Sequence, residues 1–163
     1  MAIRILIVDD HPLVRAGLQL LLRRDPKLEV VGEAADGTQA IEMAHHLQPD
    51  VILMELLLPD GDGIPTTATI RQEFPQTQVL ILTAILGKTR VVEAMQAGAS
   101  GYMFKDERPT ELRTAIRTVA AGQVHLSPRA TTALLDELRA PNHRESLTER
   151  GAGGVGLVCS RIC

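Results

Sequence analysis

The chain has 163 residues, of which 45% are hydrophobic and 23% are charged, and its formal net charge at pH 7 is −3. This length allows one full domain with a short appendage and excludes two large domains, and the negative charge is not typical of a free-standing nucleic-acid-binding protein. One Tyr, two Phe and no Trp are present, so aliphatic side chains must fill the core.

The N-terminal residues predict a strand and no targeting segment. Ile3–Val8 is a strand-like apolar run, without the basic and apolar layout of a signal peptide. The most apolar stretch, Val51–Leu58, is too short to span a bilayer and is interrupted by Glu55. We therefore expect a cytoplasmic chain with no membrane partner.

Short apolar runs alternate with segments of helical spacing as far as residue 122. In the first such segment, Val14, Leu18 and Leu21 recur at i, i+4 and i+7, which is one face of a helix. The segment 62–74 is also interpreted as a helix, although its threonines are poor helix formers. The strand-like runs are Ile3–Val8, Leu28–Val31, Val51–Met54, Val79–Leu82 and Gly101–Phe104. Five βα units predict the α/β class, with a doubly wound, five-stranded parallel sheet and five flanking helices.

The alternation stops after Gly122. Ser127 and Pro128 open a helix-like stretch that ends at Leu138 and has no strand after it, so residues 123–146 are interpreted as a linker with one helix. Residues 151–156 are mostly glycine, which loses the most backbone entropy on ordering, and we expect the end of the chain to be disordered. The two cysteines at positions 159 and 163 predict neither a zinc site nor a useful disulfide.

Polar residues follow four of the five predicted strands. Asp9 and Asp10 follow the first strand, Glu55 the third, Thr83 the fourth and Lys105 the fifth. Ligands of open parallel sheets bind at the carboxyl ends of the strands, so these side chains are expected to converge. Alone, each has an ordinary explanation as a turn, a cap or a solvent-facing side chain. Their joint placement favours a functional site.

The chemistry of this set predicts a magnesium-dependent phosphoryl site. Three clustered carboxylates repel one another unless a cation lies among them, and Mg²⁺ is a hard cation that prefers carboxylates and water. Lys105 and the Thr83 hydroxyl are then free to hold the oxygens of an anion. Together these groups suit in-line phosphoryl transfer.

Five segments resemble the receiver domains of NarL/FixJ-class response regulators of two-component systems. They are Val8–Leu18, Val31–Ala34, Pro59–Gly63, Leu82–Ala84 and Ala97–Lys105. The resemblance covers residues 1–122, which are therefore interpreted as the receiver domain. It implies a flavodoxin-like sheet with strand order 2-1-3-4-5 and a phosphorelay function in transcription regulation.

The resemblance also implies a metal site. Asp9 and Asp10 would hold Mg²⁺, with Asp10 as the direct ligand. The carboxylate at Glu55 and the backbone carbonyl of Leu57 would complete the set of ligands that the protein supplies to the ion.

The remaining implied roles concern catalysis and switching. Thr83 and Lys105 would contact the phosphoryl oxygens. Tyr102 would be the aromatic partner of Thr83 in the switch, swinging inward when the hydroxyl turns toward the phosphoryl group; the alternative for Tyr102 is a surface aromatic beside the sheet edge.

The acceptor position departs from the family, because Glu55 stands where receivers carry the phosphoacceptor Asp. Its extra methylene would put the carboxylate into the space of the phosphoryl group and spoil in-line transfer. It also places a negative charge near Lys105. Three interpretations remain: a mimic of the phosphorylated state, a pseudo-receiver that signals without phosphorylation, or a silenced or engineered site.

The tail is the second departure. Ser146–Arg150 resembles the start of a LuxR-type helix-turn-helix domain, after which the pattern collapses into glycines. One back-translation of residues 151–157, read one base later, restores the usual continuation of that helix, so a frameshift is a hypothesis. Residues 147–163 are interpreted as a remnant of the domain, and we expect no DNA binding by this chain, although an intact relative would bind DNA.

Three function classes follow. The first is a regulatory module, not an enzyme, whose partners are a sensor histidine kinase and a second copy of the chain. Its homodimer would form through the first and fifth helices or through the fourth helix and fifth strand. The second is a magnesium-dependent phosphatase, which the adjacent placement of Asp9 and Asp10 and the lack of a cap insertion disfavour. The third is a dimerisation scaffold with an inert pocket.

Overall fold

Strands and helices alternate along the chain. The computed structural model describes residues 1–84 and 87–140. The strands are β1 (Ile3–Val8), β2 (Leu28–Ala34), β3 (Val51–Met54), β4 (Leu57–Leu58), β5 (Gly61–Asp62), β6 (Gln78–Thr83), β7 (Gly101–Phe104) and β8 (His125–Leu126). The helices are α1 (Pro12–Arg23), α2 (Gly37–Leu47), α3 (Gly63–Glu73), α4 (Lys88–Gln96), α5 (Pro109–Ala120) and α6 (Pro128–Leu138). Each predicted strand and helix has a counterpart among them.

The main sheet has six parallel strands in the described residues, one more than predicted. Its order is β2-β1-β3-β6-β7-β8, so the five long strands follow the predicted order 2-1-3-4-5. The prediction of five strands was wrong because β8 is only two residues long and has no periodicity to detect. It pairs in parallel with β7, with Gly101 opposite His125 and Tyr102 opposite Leu126.

Helices cover both faces of the sheet, as a doubly wound fold requires. Strand side chains alternate between the faces, so Ile5 and Ile7 join one buried cluster while Leu6 and Val8 join the other. Helices α1 and α5 pack on the first cluster; α2, α3, α4 and α6 pack on the second. The carboxyl ends of β1, β3, β6 and β7 therefore open at one edge of the molecule.

Local sequence explains where the helices begin. Asp36 accepts a hydrogen bond from the Gln39 backbone N–H at the start of α2, and Asp62 does the same for Ile64 in α3. The threonine-containing α3 is tolerated because the buried Thr67 hydroxyl donates to the Gly63 carbonyl at 2.8 Å. Its hydroxyl is thus satisfied inside the helix.

The predicted linker contains the predicted helix, and this helix is docked on the domain. Ala130 and Ala133 of α6 are buried in the same cluster as Val91 and Ala94 of α4. The predicted helix-turn-helix remnant and both cysteines lie outside the described residues. None of the described helices is long and apolar enough to cross a membrane.

Candidate functional site

Four of the predicted site residues are in direct contact at the carboxyl edge of the sheet. Asp9 follows β1, Glu55 follows β3, Thr83 ends β6 and Lys105 follows β7. Asp9, Glu55 and Thr83 are buried, with exposed fractions of 2%, 5% and 0%. The crossing order β1-β3-β6-β7 makes these strand ends neighbours, so residues far apart in sequence share one pocket.

Lys105 joins the two buried carboxylates. Its Nζ atom lies 2.6 Å from Asp9 Oδ2 and 2.6 Å from Glu55 Oε1. Burial alone would lower the pKa of Lys105, but its hydrogen bonds to Asp9 and Glu55 outweigh that effect and raise the pKa. The ammonium group is therefore charged at neutral pH and balances part of the negative charge of the pocket.

The second oxygen of Glu55 is held by three donors. The Thr83 hydroxyl donates to Glu55 Oε2 at 2.5 Å, and the backbone N–H groups of Leu56 and Leu57 donate to the same atom at 2.6 and 3.2 Å. With Lys105 on Oε1, both oxygens of this carboxylate are engaged. A buried carboxylate with such a set of donors is fully compensated for the loss of water.

Asp10 stands beside this network with His11. Within the described residues, Asp9, Asp10 and His11 form the group whose potential ligand atoms lie close enough to share a metal ion. His11 Nδ1 is 3.1 Å from Asp9 Oδ1 and 3.2 Å from Asp10 Oδ1. Asp10 Oδ1 is shielded from solvent and accepts no hydrogen bond of good geometry from the described residues. An oxygen in that position suits a hard cation.

Arg15 fixes the backbone from which Asp9 extends. Its Nη1 atom donates to the Asp9 carbonyl at 2.5 Å, and its Nε atom donates to Glu33 Oε1 at 2.8 Å. Arg15 of α1 thus links the β1–α1 loop to Glu33 of β2. The carboxylate of Asp9 extends from this loop to Lys105.

Tyr102 is fully buried on β7 rather than on the surface. Its ring contacts Phe104 edge-on, with the centroids 5.5 Å apart. Burial raises the pKa of Tyr102 to about 12, and within the described residues its hydroxyl has no hydrogen-bond partner. The alternative of a surface aromatic was wrong, because the strand alternation turns position 102 toward the helices α4 and α6.

Leu57 differs from Asp9 and Glu55, the buried predicted ligands, because it is exposed. It is 64% exposed, and the contact that it makes with the pocket is the N–H bond to Glu55. The sequence did not predict that the backbone N–H groups of Leu56 and Leu57 bind Glu55, or that His11 lies beside the two aspartates. The adjacency of His11 to the Asp pair was a visible signal for the last of these; backbone donors leave no signal in a sequence.

Comparisons with known proteins agree with this geometry. Residues 5–117 match the response regulator receiver domain family. The chain is 37% identical over 152 residues to the transcriptional regulatory protein LiaR of Bacillus subtilis strain 168, which covers 91% of this chain and 72% of LiaR.

Two solved structures extend the comparison. A two-component response regulator of the LuxR family from Aurantimonas sp. SI85-9A1 has a TM-score of 0.80 and 39% identity, over 85% of this chain and 99% of that one. The isolated REC domain of RcsB from Salmonella enterica serovar Typhimurium, solved with phosphomimetic BeF3-, has a TM-score of 0.75 and 26% identity, over 82% of this chain and 99% of that one.

The curated relative is a transcriptional regulatory protein, and the predicted resemblance to NarL/FixJ-class receivers is confirmed. Since the family match spans more than half of the chain, this protein belongs to the response regulator receiver domain family and is the receiver of a LuxR-type two-component regulator.

Proposed function

We propose that this receiver is held in its signalling arrangement by Glu55, without phosphorylation. The observation that carries the proposal is the engagement of Glu55 by both Lys105 and Thr83, at 2.6 and 2.5 Å. These are the two side chains that the resemblance assigns to the phosphoryl oxygens. The carboxylate of Glu55 reaches them because it is one methylene longer than an Asp.

The position of Tyr102 supports the same proposal. A Thr83 hydroxyl drawn toward the acceptor position leaves room for the aromatic ring to move inward, and Tyr102 is inward and fully buried. A carboxylate carries less charge and fewer acceptor oxygens than a phosphoryl group. We therefore expect Glu55 to shift the conformational equilibrium toward the active state rather than complete the shift.

Mg²⁺ is the cofactor that the pocket suits. Asp9 Oδ1 and Asp10 Oδ1 would hold it, since they face a common point beside His11. When bound, the ion would neutralise the acidic cluster and, in an Asp-bearing receiver, the phosphoryl oxygens. Glu55 is a poorer ligand than the sequence suggests, because Lys105, Thr83 and two backbone N–H groups already occupy its oxygens.

The partners follow from the family. We propose that the natural inputs and outputs are a sensor histidine kinase and a homodimer in the cytoplasm, controlling transcription. RcsB, one of the structurally similar proteins, has been solved as two dimers bound to two parallel DNAs.

The first test measures phosphorylation. This chain and Glu55→Asp and Glu55→Asn variants are incubated with Mg²⁺ and acetyl phosphate, and their intact masses are recorded. We expect the Asp variant alone to gain a phosphoryl group, since only it offers an acceptor at the right distance. Failure of the Asp variant would mean that the pocket is not a competent receiver site, and the dimerisation scaffold would become the better explanation.

The second test measures conformation. Tyr102 is the only tyrosine and no tryptophan is present, so intrinsic fluorescence reports on this one ring. We expect acrylamide to quench Tyr102 more in unphosphorylated Glu55→Asp than in this chain, and Mg²⁺ with BeF3- to reverse the difference. Equal quenching in the two unliganded proteins would refute the proposed role of Glu55.

A further inference from the structure

Helix α6 is attached to the part of the domain that carries the switch. We propose that Arg129 is a positioning residue that couples α6 to the Lys105 loop, so that α6 is the element that reads the pocket. This inference rests on the proposed function, because it names the output of the same site.

Arg129 makes three contacts with the residues that flank Lys105. Its guanidinium lies over the Phe104 ring, 4.3 Å from the centroid. It forms an ion pair with Asp106, and Glu107 Oε2 lies 3.9 Å from its Nη2 atom. Phe104 and Asp106 are the immediate neighbours of Lys105, so a displacement of the Lys105 backbone would also move a surface that Arg129 contacts.

The chemistry of these contacts selects arginine. A planar guanidinium can stack on an aromatic face and donate in its own plane to carboxylates at the same time, which a lysine ammonium cannot do. The Lys105 backbone is itself tied to the pocket, since its N–H donates to the Thr83 carbonyl at 2.9 Å. The path from Glu55 to α6 is therefore short: Lys105, its two neighbours and Arg129.

Helix α6 also contacts the domain at positions other than Arg129. Its N-cap residue, Ser127, donates its backbone N–H to the Tyr102 carbonyl at 3.2 Å. Farther along, Asp136 pairs with Lys88 of α4 at 3.3 Å, and Ala130 and Ala133 are buried against that helix. Helix α6 thus touches the strand of Tyr102, the loop of Lys105 and the helix that follows Thr83.

An 11-residue helix is marginal in water without tertiary packing, so amide exchange in α6 measures its docking. The experiment is hydrogen–deuterium exchange with mass spectrometry on the full chain, following the peptide that spans residues 128–138. The variants are Arg129→Gln, Arg129→Lys, Glu55→Gln and the Arg129→Gln/Glu55→Gln double variant. Arg139→Gln is the matched control, because it removes the same charge from an exposed position at the end of the same helix.

We expect Arg129→Gln to speed exchange in α6 by about three- to thirtyfold, with Arg129→Lys intermediate and Arg139→Gln unchanged. Glu55→Gln keeps the shape of the side chain but removes one of the two carboxylate charges that hold Lys105. It should speed exchange in α6 when Arg129 is present and have an effect at least about threefold smaller in the Arg129→Gln background, since residues in one network are not additive.

The failures of the two proposals differ. Equal effects of Glu55→Gln on α6 with and without Arg129, together with faster exchange around Tyr102, would overturn the coupling role of Arg129 and leave the role of Glu55 intact. No effect of Glu55→Gln on either region would remove the proposed function itself. An Arg129→Gln variant that exchanges like the Arg139→Gln control would also overturn the inference.

Discussion

At the residue scale, the pocket depends on one ammonium group between two buried carboxylates. Lys105 bonds Asp9 and Glu55 at 2.6 Å each, and neither residue is more than 5% exposed. Buried charges without a partner cost several kcal/mol, whereas an exposed ion pair contributes little. The contribution of Lys105 to folding should therefore far exceed that of an ordinary surface lysine.

Replacing Lys105 by Met should lower the free energy of unfolding by about 3 kcal/mol, because two like charges would face each other unneutralised. Mg²⁺ should restore part of the loss, since it supplies a second cation to the same carboxylates. Urea denaturation with and without Mg²⁺ measures both effects. Lys88→Met is the control: its partner Asp136 lies at 3.3 Å on the surface, and the expected change is about 0.5 kcal/mol. A similar loss in the two variants would contradict the argument.

Tyr102 gives a prediction of pH dependence. Burial raises its pKa from 10.0 to about 12, so the neutral phenol is favoured by the fold. The free energy of unfolding should therefore not depend on this group below pH 10, and should fall by about 2–3 kcal/mol as the pH rises from about 10 to about 12. Ultraviolet difference absorbance should show at most about a tenth of this single tyrosine ionised at pH 11 in the folded chain, and ordinary ionisation near 10 in urea. A midpoint near 10 while circular dichroism still reports a folded chain would show that the ring is accessible.

At the element scale, the sequence predicts what depends on local pattern and misses what depends on distant packing. The apolar runs predicted the first and last residues of β1, β3 and β7 correctly. Strands of a parallel sheet that is buried on both faces need such nearly continuous apolar stretches. Strands β4, β5 and β8 have two residues each and carry no pattern. Helix α6 was visible, but its docking was not, because small residues such as Ala130 and Ala133 do not identify the helix they will pack against.

The same contrast applies to the site. The positions at the ends of the strands predicted Asp9, Glu55, Thr83 and Lys105 as site residues, because ligands of open parallel sheets bind at the carboxyl ends of the strands. Their roles as ligands and contacts of a phosphoryl group stay a prediction until the acceptor position is tested. The donors from Leu56 and Leu57 could not be predicted, since backbone N–H groups are present at every such position and only the turn after β3 directs these two at Glu55.

Two glycines test how tightly one element approaches another. Gly63 begins α3, and a Cβ there would lie 2.4 Å from the Glu55 carbonyl oxygen, which is backbone and cannot move away. Gly17 lies within α1, and a Cβ there would meet nothing within 4 Å. Gly63→Ala should therefore destabilise the fold by about 2–3 kcal/mol and disturb Glu55, whereas Gly17→Ala should stabilise it by about 0.5–1 kcal/mol.

Chemical denaturation of the two alanine variants measures this difference, and the Tyr102 quenching assay shows whether the pocket is disturbed. Destabilisation of equal size at both positions would mean that helix propensity and not contact with the β3 turn decides the outcome. An unperturbed pocket in Gly63→Ala would show that α3 can shift without moving Glu55.

At the scale of the whole molecule, the fold places Tyr102, the predicted switch residue, and the last helix on one face. Tyr102 and Phe104 point from β7 toward α4 and α6, whereas Met103 points toward α1 and α5. The face formed by α4 and β7 is one of the two dimer interfaces that the sequence leaves open, and α6 already occupies part of it. We therefore expect an output through this face to involve α6.

This arrangement predicts that the receiver does not end at residue 122, as the change of sequence pattern suggests, but includes α6. A chain that ends at residue 123 would uncover Phe104 and lose the burial of Ala130 and Ala133, which should cost about 2–4 kcal/mol relative to a chain that ends at residue 140. Tyr102 should at the same time become accessible to acrylamide. Leu138→Ala in the longer chain is the control, because this side chain is 48% exposed and its loss should change little. Equal unfolding free energies for the two lengths would mean that α6 is a linker helix that does not stabilise the domain. A helix that contributes nothing to the stability of the domain cannot report the state of its pocket through docking.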